Sequence, residues 1–245
     1  MTYTTSELIR FDANGAHSRY MHAKGIPVPG VTSILQVISK PALIAWAAGC
    51  ASDFWRAAVT EAEDKITPEE IETWHKTAKN AHRTISKSAA DIGTEVHKYA
   101  ECTLKGLPRP ELKSLDATNA AHAFESWVAE HKVEPIHLER IIFSQEHWYA
   151  GTCDFVGRID GRLSLLDFKT SSGIWPEFRL QVAAYQKAFE EETGEKIDDR
   201  LIVRFDKKTG AFEAVKLFDV ERDFNGLKQA LLLSRTIKQI EEENR

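Results

Sequence analysis

Two apolar runs on either side of Asp160-Gly161 constrain the fold of this chain more than any other feature. Trp148 to Ile159 and Leu163 to Lys169 have the length and the Ile, Leu, Val and Phe content of strands. Asp-Gly supplies the positive backbone angles that a tight hairpin turn requires. A hairpin this apolar must be covered, and the surrounding sequence offers the cover. His137 to Ser144 reads as a further strand. Pro176 opens a helix to about Glu192, which Gly194 stops. Leu201 to Phe205 and Ala211 to Phe218 form a second hairpin around Lys207-Lys208-Thr209-Gly210, and a polar-rich helix starts near Asp223. The order strand–strand–strand–helix–strand–strand implies an α/β or α+β domain.

Upstream of His137 the pattern is helical. After a small hairpin around Asn14-Gly15, with Leu8 to Phe11 and His17 to His22 as its arms, the chain breaks at Ile26-Pro27-Val28-Pro29-Gly30. Ala42 to Ala51 is apolar, too short for a membrane span, and reads as a buried helix with Pro41 at its first position. Thr67-Pro68-Glu69-Glu70 has the form of a capping box and starts a helix to about His82. A second helix runs from about Ile85 to Leu104, and another from about Leu115 to His131. Residues 1–90 thus form an N-terminal hairpin and helical region, and residues 91–245 the core of one compact domain.

Composition excludes several classes. A formal charge of −5, from 32 basic and 37 acidic residues, rules out coating of nucleic acid by bulk charge but leaves room for a local basic groove. Cys50, Cys102 and Cys153 include no Cys-x-x-Cys pair, which argues against a zinc finger, a thioredoxin-type site and an iron–sulfur cluster. Reduced thiols fit a cytoplasmic protein. The first residues lack the basic start and apolar run of a signal peptide.

The chemistry concentrates on the first hairpin. Asp154 lies in Gly151-Thr152-Cys153-Asp154, and Asp167 and Lys169 lie in Asp167-Phe168-Lys169-Thr170-Ser171. On a strand Asp167 and Lys169 point to the same side. Leu165, Leu166 and Phe168 around them are apolar, and a buried carboxylate needs a partner. A divalent cation shared by Asp154 and Asp167, with Lys169 beside it, would serve. So would a plain buried salt bridge between Asp167 and Lys169. Gln181 and Tyr185 share a face of the next helix, although Phe178, Val182, Tyr185 and Phe189 also make an apolar stripe.

Taken together, Gly93-Thr94-Glu95-Val96-His97 with Glu101, Gly151-Thr152-Cys153-Asp154, Asp167-Phe168-Lys169-Thr170-Ser171 and Gln181-x-x-x-Tyr185 resemble the PD-(D/E)XK nuclease superfamily. The likeness is to RecB-type nuclease domains, and among them to phage-type and mitochondrial-genome-maintenance-type DNA exonucleases. Pro29-Gly30-Val31-Thr32-Ser33-Ile34-Leu35 and Lys40-Pro41-Ala42-Leu43 resemble their N-terminal part. The chain departs from the pattern in having Cys153 where proline is usual before the first acid, and Asp167 rather than glutamate as the second. The four cysteines of the iron–sulfur branch are absent.

The resemblance implies an α/β fold with a mixed central sheet flanked by helices, preceded by the helical region. It implies that His97, Asp154, Asp167 and the backbone carbonyl of Phe168 bind Mg²⁺ or Mn²⁺, without an iron–sulfur cluster. Asp154, Asp167 and Lys169 would be catalytic, with Lys169 positioning water and stabilising phosphate charge. Gln181 and Tyr185, with Thr170 and Ser171, would order the site and meet the DNA strand. Glu101, one turn from His97, and Glu139, on the preceding strand, would support the site from a second layer. His97 could instead be an ordinary structural histidine.

Lys76, Lys79, Arg83 and Lys87 recur at helical steps, and residues 75–113 carry 8 basic against 4 acidic side chains. This is either a solvated helix face or a phosphate-tracking surface. Trp74, Trp148 and Trp175 could pack or stack on bases, and Trp175, between the Asp167 motif and the Gln181 helix, is the best placed to stack. The expectation is a metal-dependent DNA exonuclease leaving 5′-phosphates, acting on single-stranded ends in replication, recombination or repair in a bacterial or phage-infected cell, beside other proteins of those processes and away from membranes. The alternatives are a structure-specific endonuclease and a catalytically idle DNA-binding module.

Overall fold

The computed structural model describes residues 8–12, 18–62 and 66–244. The Asn14-Gly15 turn lies outside them. The chain divides into two compact units, one of Met1–Ile38 with Ile92–Arg245 and one of Ser39–Asp91.

The larger unit is built on a five-stranded mixed sheet. Its strands are β4 (Val133–Ser144), β5 (Tyr149–Ile159), β6 (Arg162–Lys169), β7 (Asp199–Phe205) and β8 (Phe212–Lys216), in the order β4-β5-β6-β7-β8. All pairs are antiparallel except β6 with β7. That parallel pair is joined by α5 (Pro176–Thr193), a β–α–β crossover. Asp160 and Gly161 take the positive φ values, 50° and 85°, that the β5–β6 turn demands. Gly194 ends α5 with φ 74°, in the left-handed conformation. Pro135 lies within β4, which as an edge strand tolerates its missing donor.

Helices cover both faces. On one, Val182, Tyr185, Ala188 and Phe189 of α5 and Phe224, Leu227 and Leu231 of α6 (Val220–Glu243) pack with Cys153, Val156, Leu165 and Ile202. On the other, Val96 and Ala100 of α3 (Pro68–Leu104) and Ala120, Phe124 and Trp127 of α4 (Leu115–Glu130) pack with Phe155, Leu166, Phe168 and Val203. A small antiparallel sheet of β1 (Leu8–Asp12), β2 (Ser18–His22) and β3 (Pro27–Val28) joins the start of β5, where the Ala150 N–H donates to the Pro29 carbonyl at 3.0 Å. The short helix α1 (Val31–Ile34) and a 3-10 turn at Leu35–Val37 follow it.

Two expectations change. The helices expected on either side of His82 are one element, the 37-residue α3. No glycine or proline occurs between Pro68 and Gly93, so nothing in the sequence interrupts the backbone ladder. The capping box at its start does form: Thr67 N donates to Glu70 Oε2 at 2.8 Å, and Glu70 N to Thr67 Oγ1 at 3.2 Å. Helix α2 (Pro41–Glu61), expected to be buried, has no buried residue. Among the described residues, its unit contains only α2 and the first part of α3. Two helices can cover no more than one stripe of each other, here through Trp46 against His82 and Trp55 against Trp74, with ring centroids 6.5 and 5.9 Å apart.

Candidate active site

The β5–β6 ladder runs from Ile159↔Arg162 to Phe155↔Leu166 and stops there. Beyond that point the Asp154 side chain takes over the pairing. Its Oδ2 accepts the backbone N–H of Phe168 at 2.7 Å. The carbonyl of the same residue lies 3.0 Å from His97 Nε2, and His97 Nδ1 lies 3.6 Å from Asp154 Oδ1. Helix α3 can bring the imidazole this close because Gly93, one turn earlier, sits against Thr170; a Cβ on Gly93 would stand 3.3 Å from Thr170 Oγ1.

The other side of β6 carries Asp167 and Lys169. Lys169 Nζ lies 2.5 Å from Asp167 Oδ2 and donates to Gln181 Oε1 at 3.2 Å. Gln181 Nε2 in turn donates to the Tyr185 hydroxyl at 2.7 Å, and the Phe178 ring lies under the ammonium at 4.8 Å. Asp167 is 1% exposed, and its Oδ2 accepts no well-directed hydrogen bond despite the close ammonium. Gln181 and Tyr185 are buried, at 8% and 3% exposure. Their geometry is that of a brace behind Lys169, with little surface to offer a strand. Gly151 makes the brace possible, since a Cβ there would stand 2.4 Å from Tyr185 Cε1.

Glu139 occupies a place that residue type alone does not disclose. It falls between the pairs Leu138↔Phe155 and Arg140↔Cys153, directly across from Asp154. The alternation of side chains resets on both strands at this level. Leu138 and Phe155 face α3 and α4, whereas Cys153 faces α5 and Arg140 lies over the Phe189 ring of that helix. Glu139 has φ 53°, in the left-handed region that a residue with a Cβ seldom enters. One ligand atom each from His97, Glu139 and Asp154 lie within 4.8 Å of one another, so these three could hold a metal ion.

The electrostatics follow from the crowding. Burial, then the neighbouring charge of Asp167, raises Asp154 to about 8, against the pull of Lys169 and the Phe168 N–H. Burial, then the charge of Lys169, lower His97 from the ordinary histidine range. Burial, and next the Asp167 charge, push the Tyr185 hydroxyl well up, so it stays protonated. Two carboxylates, a neutral imidazole and the Phe168 carbonyl suit a divalent cation with a preference for oxygen ligands and tolerance of one nitrogen.

The remaining candidates are distributed more widely. Glu101 does not turn to His97 or Lys169; its carboxylate pairs with Lys98 and Lys105 on its own helix, both within 2.8 Å. Thr170 and Ser171 continue from β6, and Ser171 Oγ donates to the Gly173 carbonyl at 2.7 Å. Trp175 precedes α5 and is 47% exposed. Trp148 packs edge-on against Phe143, with its indole N–H donating to the Pro27 carbonyl. Lys76, Lys79, Arg83 and Lys87 are exposed on α3 within the Ser39–Asp91 unit, with Lys76 3.5 Å from Glu72. Sequence reasoning missed the Tyr20 hydroxyl, 2.9 Å from Thr152 Oγ1, which ties the small sheet to β5 two residues from Asp154. It also gave Phe178 no role beyond the stripe. Neither carries a local signal. The place of Glu139 could have been counted from the β4–β5 register.

No family profile and no curated protein matches the sequence. Among solved structures, the chain is similar to an alkaline exonuclease, LHK-Exo, from Laribacter hongkongensis, at 13% identity over 64% of this chain and 92% of that one, with a TM-score of 0.31. It is likewise similar to LHK-Exo in complex with dAMP, at 15% identity over 64% and 90%, with a TM-score of 0.33. Both likenesses are weak.

Proposed function

We propose that this chain is a divalent-metal-dependent nuclease that hydrolyses phosphodiester bonds in DNA, as an exonuclease leaving 5′-phosphates and acting on single-stranded ends. The observation that carries the reading is the arrangement around Phe168. Its N–H and its carbonyl are held by Asp154 and His97 on one side, while the next residue, Lys169, is held by Asp167 and Gln181 on the other.

A divalent cation held by His97, Asp154 and Glu139 or the Phe168 carbonyl would neutralise the scissile phosphate and acidify a water. The chain's own groups do the rest. Asp167 holds the Lys169 ammonium in place, and the Gln181–Tyr185 brace limits its motion. Lys169 can then donate to a phosphate oxygen as negative charge builds there, with little reorganisation at the moment of reaction. Thr170 and Ser171, at the mouth of β6, are polar groups for the backbone of a strand, and Trp175 supplies an exposed ring for a base. The basic face of α3 adds affinity that does not read sequence.

The test uses end-labelled linear and covalently closed circular DNA with Mg²⁺, with Mn²⁺ and with chelator. The expected result is metal-dependent release of 5′-mononucleotides from linear single strands, with circles surviving. Cleavage of circles as fast as linear strands would replace the exonuclease by an endonuclease. No cleavage under any metal would remove the enzymatic reading.

A further inference from the structure

We infer that Glu139 is itself a ligand of the divalent cation, from the opposite strand to Asp154, rather than a supporting residue behind the ligands. The inference rests on the metal-dependent reading above and concerns the same site.

Three observations converge. Glu139 places a carboxylate oxygen within 4.8 Å of donor atoms of His97 and Asp154, and its position in β4 is directly across from Asp154. The alternation resets on both strands at these two residues, so the fold removes both acids from the regular pleat at one level. The second acid of the β5–β6 hairpin is otherwise engaged. Asp167 Oδ2 lies 2.5 Å from Lys169, on the α5 side of the sheet, and is buried without a well-directed hydrogen bond, so its charge is answered by the ammonium. Asp167 is paired with Lys169, and the two carboxylates whose oxygens come within 4.8 Å of each other and of a His97 nitrogen are those of Asp154 and Glu139.

The left-handed backbone of Glu139 makes the inference separable from a structural role. A glycine adopts φ 53° without the steric cost that a Cβ carries there. If Glu139 served the fold, Glu139→Gly would loosen it; if it serves the ion, the fold keeps its stability and the ion is lost.

The experiment is calorimetric titration of Mn²⁺ into the chelator-stripped full chain, with thermal unfolding of the same samples. Wild type is expected to bind Mn²⁺, and both Glu139→Gln and Glu139→Gly to bind more than about 100-fold more weakly; a loss within the roughly 10–100-fold range that removal of an outer-shell partner brings would overturn the inference and return Glu139 to a supporting role. Without metal, Glu139→Gly should unfold no lower than wild type. Glu134→Gln, which removes a carboxylate paired with Lys132 on the same strand, should bind as wild type does and so controls for bulk charge. Wild-type affinity in both Glu139 variants would overturn the inference and leave the metal reading intact. A metal-free Glu139→Gly that unfolds well below wild type, with Glu139→Gln binding normally, would assign Glu139 to the fold. No Mn²⁺ binding by wild type would overturn the metal reading and this inference with it.

Discussion

His97 and Asp154 meet at 3.6 Å across the end of a strand pair, and each also holds a backbone group of Phe168, Asp154 its N–H and His97 its carbonyl. An imidazole from a helix and a carboxylate from a strand thus share one residue as a common mount, through the two amides on either side of its Cα. Movement of either is transmitted to Lys169, the next residue along.

Asp154→Asn should abolish cleavage of linear DNA and reverse a pH effect on stability. Burial and Asp167 raise Asp154 in the folded protein to about 8, from an ordinary 3.8. The folded state therefore retains a proton that the unfolded state has released. The corresponding stability is complete below about pH 4 and is lost as pH rises to about 8. In chelator, the variant should gain on wild type in unfolding temperature from pH 5 to pH 8. The variant-minus-wild-type difference isolates Asp154 from His97, whose lowered pKa acts with the opposite sign. A constant difference across this range would show that Asp154 is not strained by its charge.

Lys169→Ala should lower turnover by about 10²–10³-fold, the usual cost of removing a preorganised donor to transition-state charge. DNA affinity should change by less than about threefold. Single-turnover rates and equilibrium binding on the same oligonucleotide separate the two. A loss of binding as large as the loss of rate would make Lys169 an anchor for the ground state.

Gly151→Ala tests the brace. The added Cβ would stand 2.4 Å from the buried Tyr185 ring. The ring must shift, and Gln181 and then Lys169 move with it. Overpacking of this kind costs about 1–3 kcal/mol, measurable by denaturant unfolding. Turnover should fall at temperatures where the variant is fully folded. Unchanged turnover would detach the Gln181–Tyr185 pair from the placement of Lys169.

Lys79→Glu with Arg83→Glu should weaken single-strand binding and flatten its dependence on salt. Each phosphate that is no longer neutralised lowers the slope of log affinity against log salt by about 0.7 on a single strand. The metal requirement for cleavage should be unaltered. A salt slope equal to that of wild type would return this face of α3 to ordinary solvation.

Much of this architecture is legible in the sequence, for identifiable reasons. The β5–β6 hairpin, the α5 crossover and the capped start of α3 each rest on a local device: Asp160-Gly161, Pro176 with Gly194, and Thr67 with Glu70. Asp154, Asp167 and Lys169 are visible because charged groups in an apolar strand demand an explanation. What the sequence conceals is set by distant partners. The continuity of α3 past His82 follows from an absence of breakers, which is easily overlooked when the apolar stripe weakens. The exposure of α2 depends on how little its unit places against it. Glu101 has the spacing to meet His97 but finds two lysines nearer. Glu139 escapes because a period of two cannot register a position where the period itself resets.

That reset has a consequence for how such a site can change. Up to the register shift between Pro135 and His137, the side chains on β4 and β5 beyond this level owe their face of the sheet to the presence of both Glu139 and Asp154. Deleting one residue alone would turn the rest of its strand inside out against an unaltered neighbour. Deleting both would restore the alternation at this level, leaving the register shift between Pro135 and His137, but would shift the two ends of the sheet against their helices. The two positions are therefore counted into the length of the strands. A lineage could replace either side chain in a single step, yet would keep the two positions, because the facing of the strands is built around them.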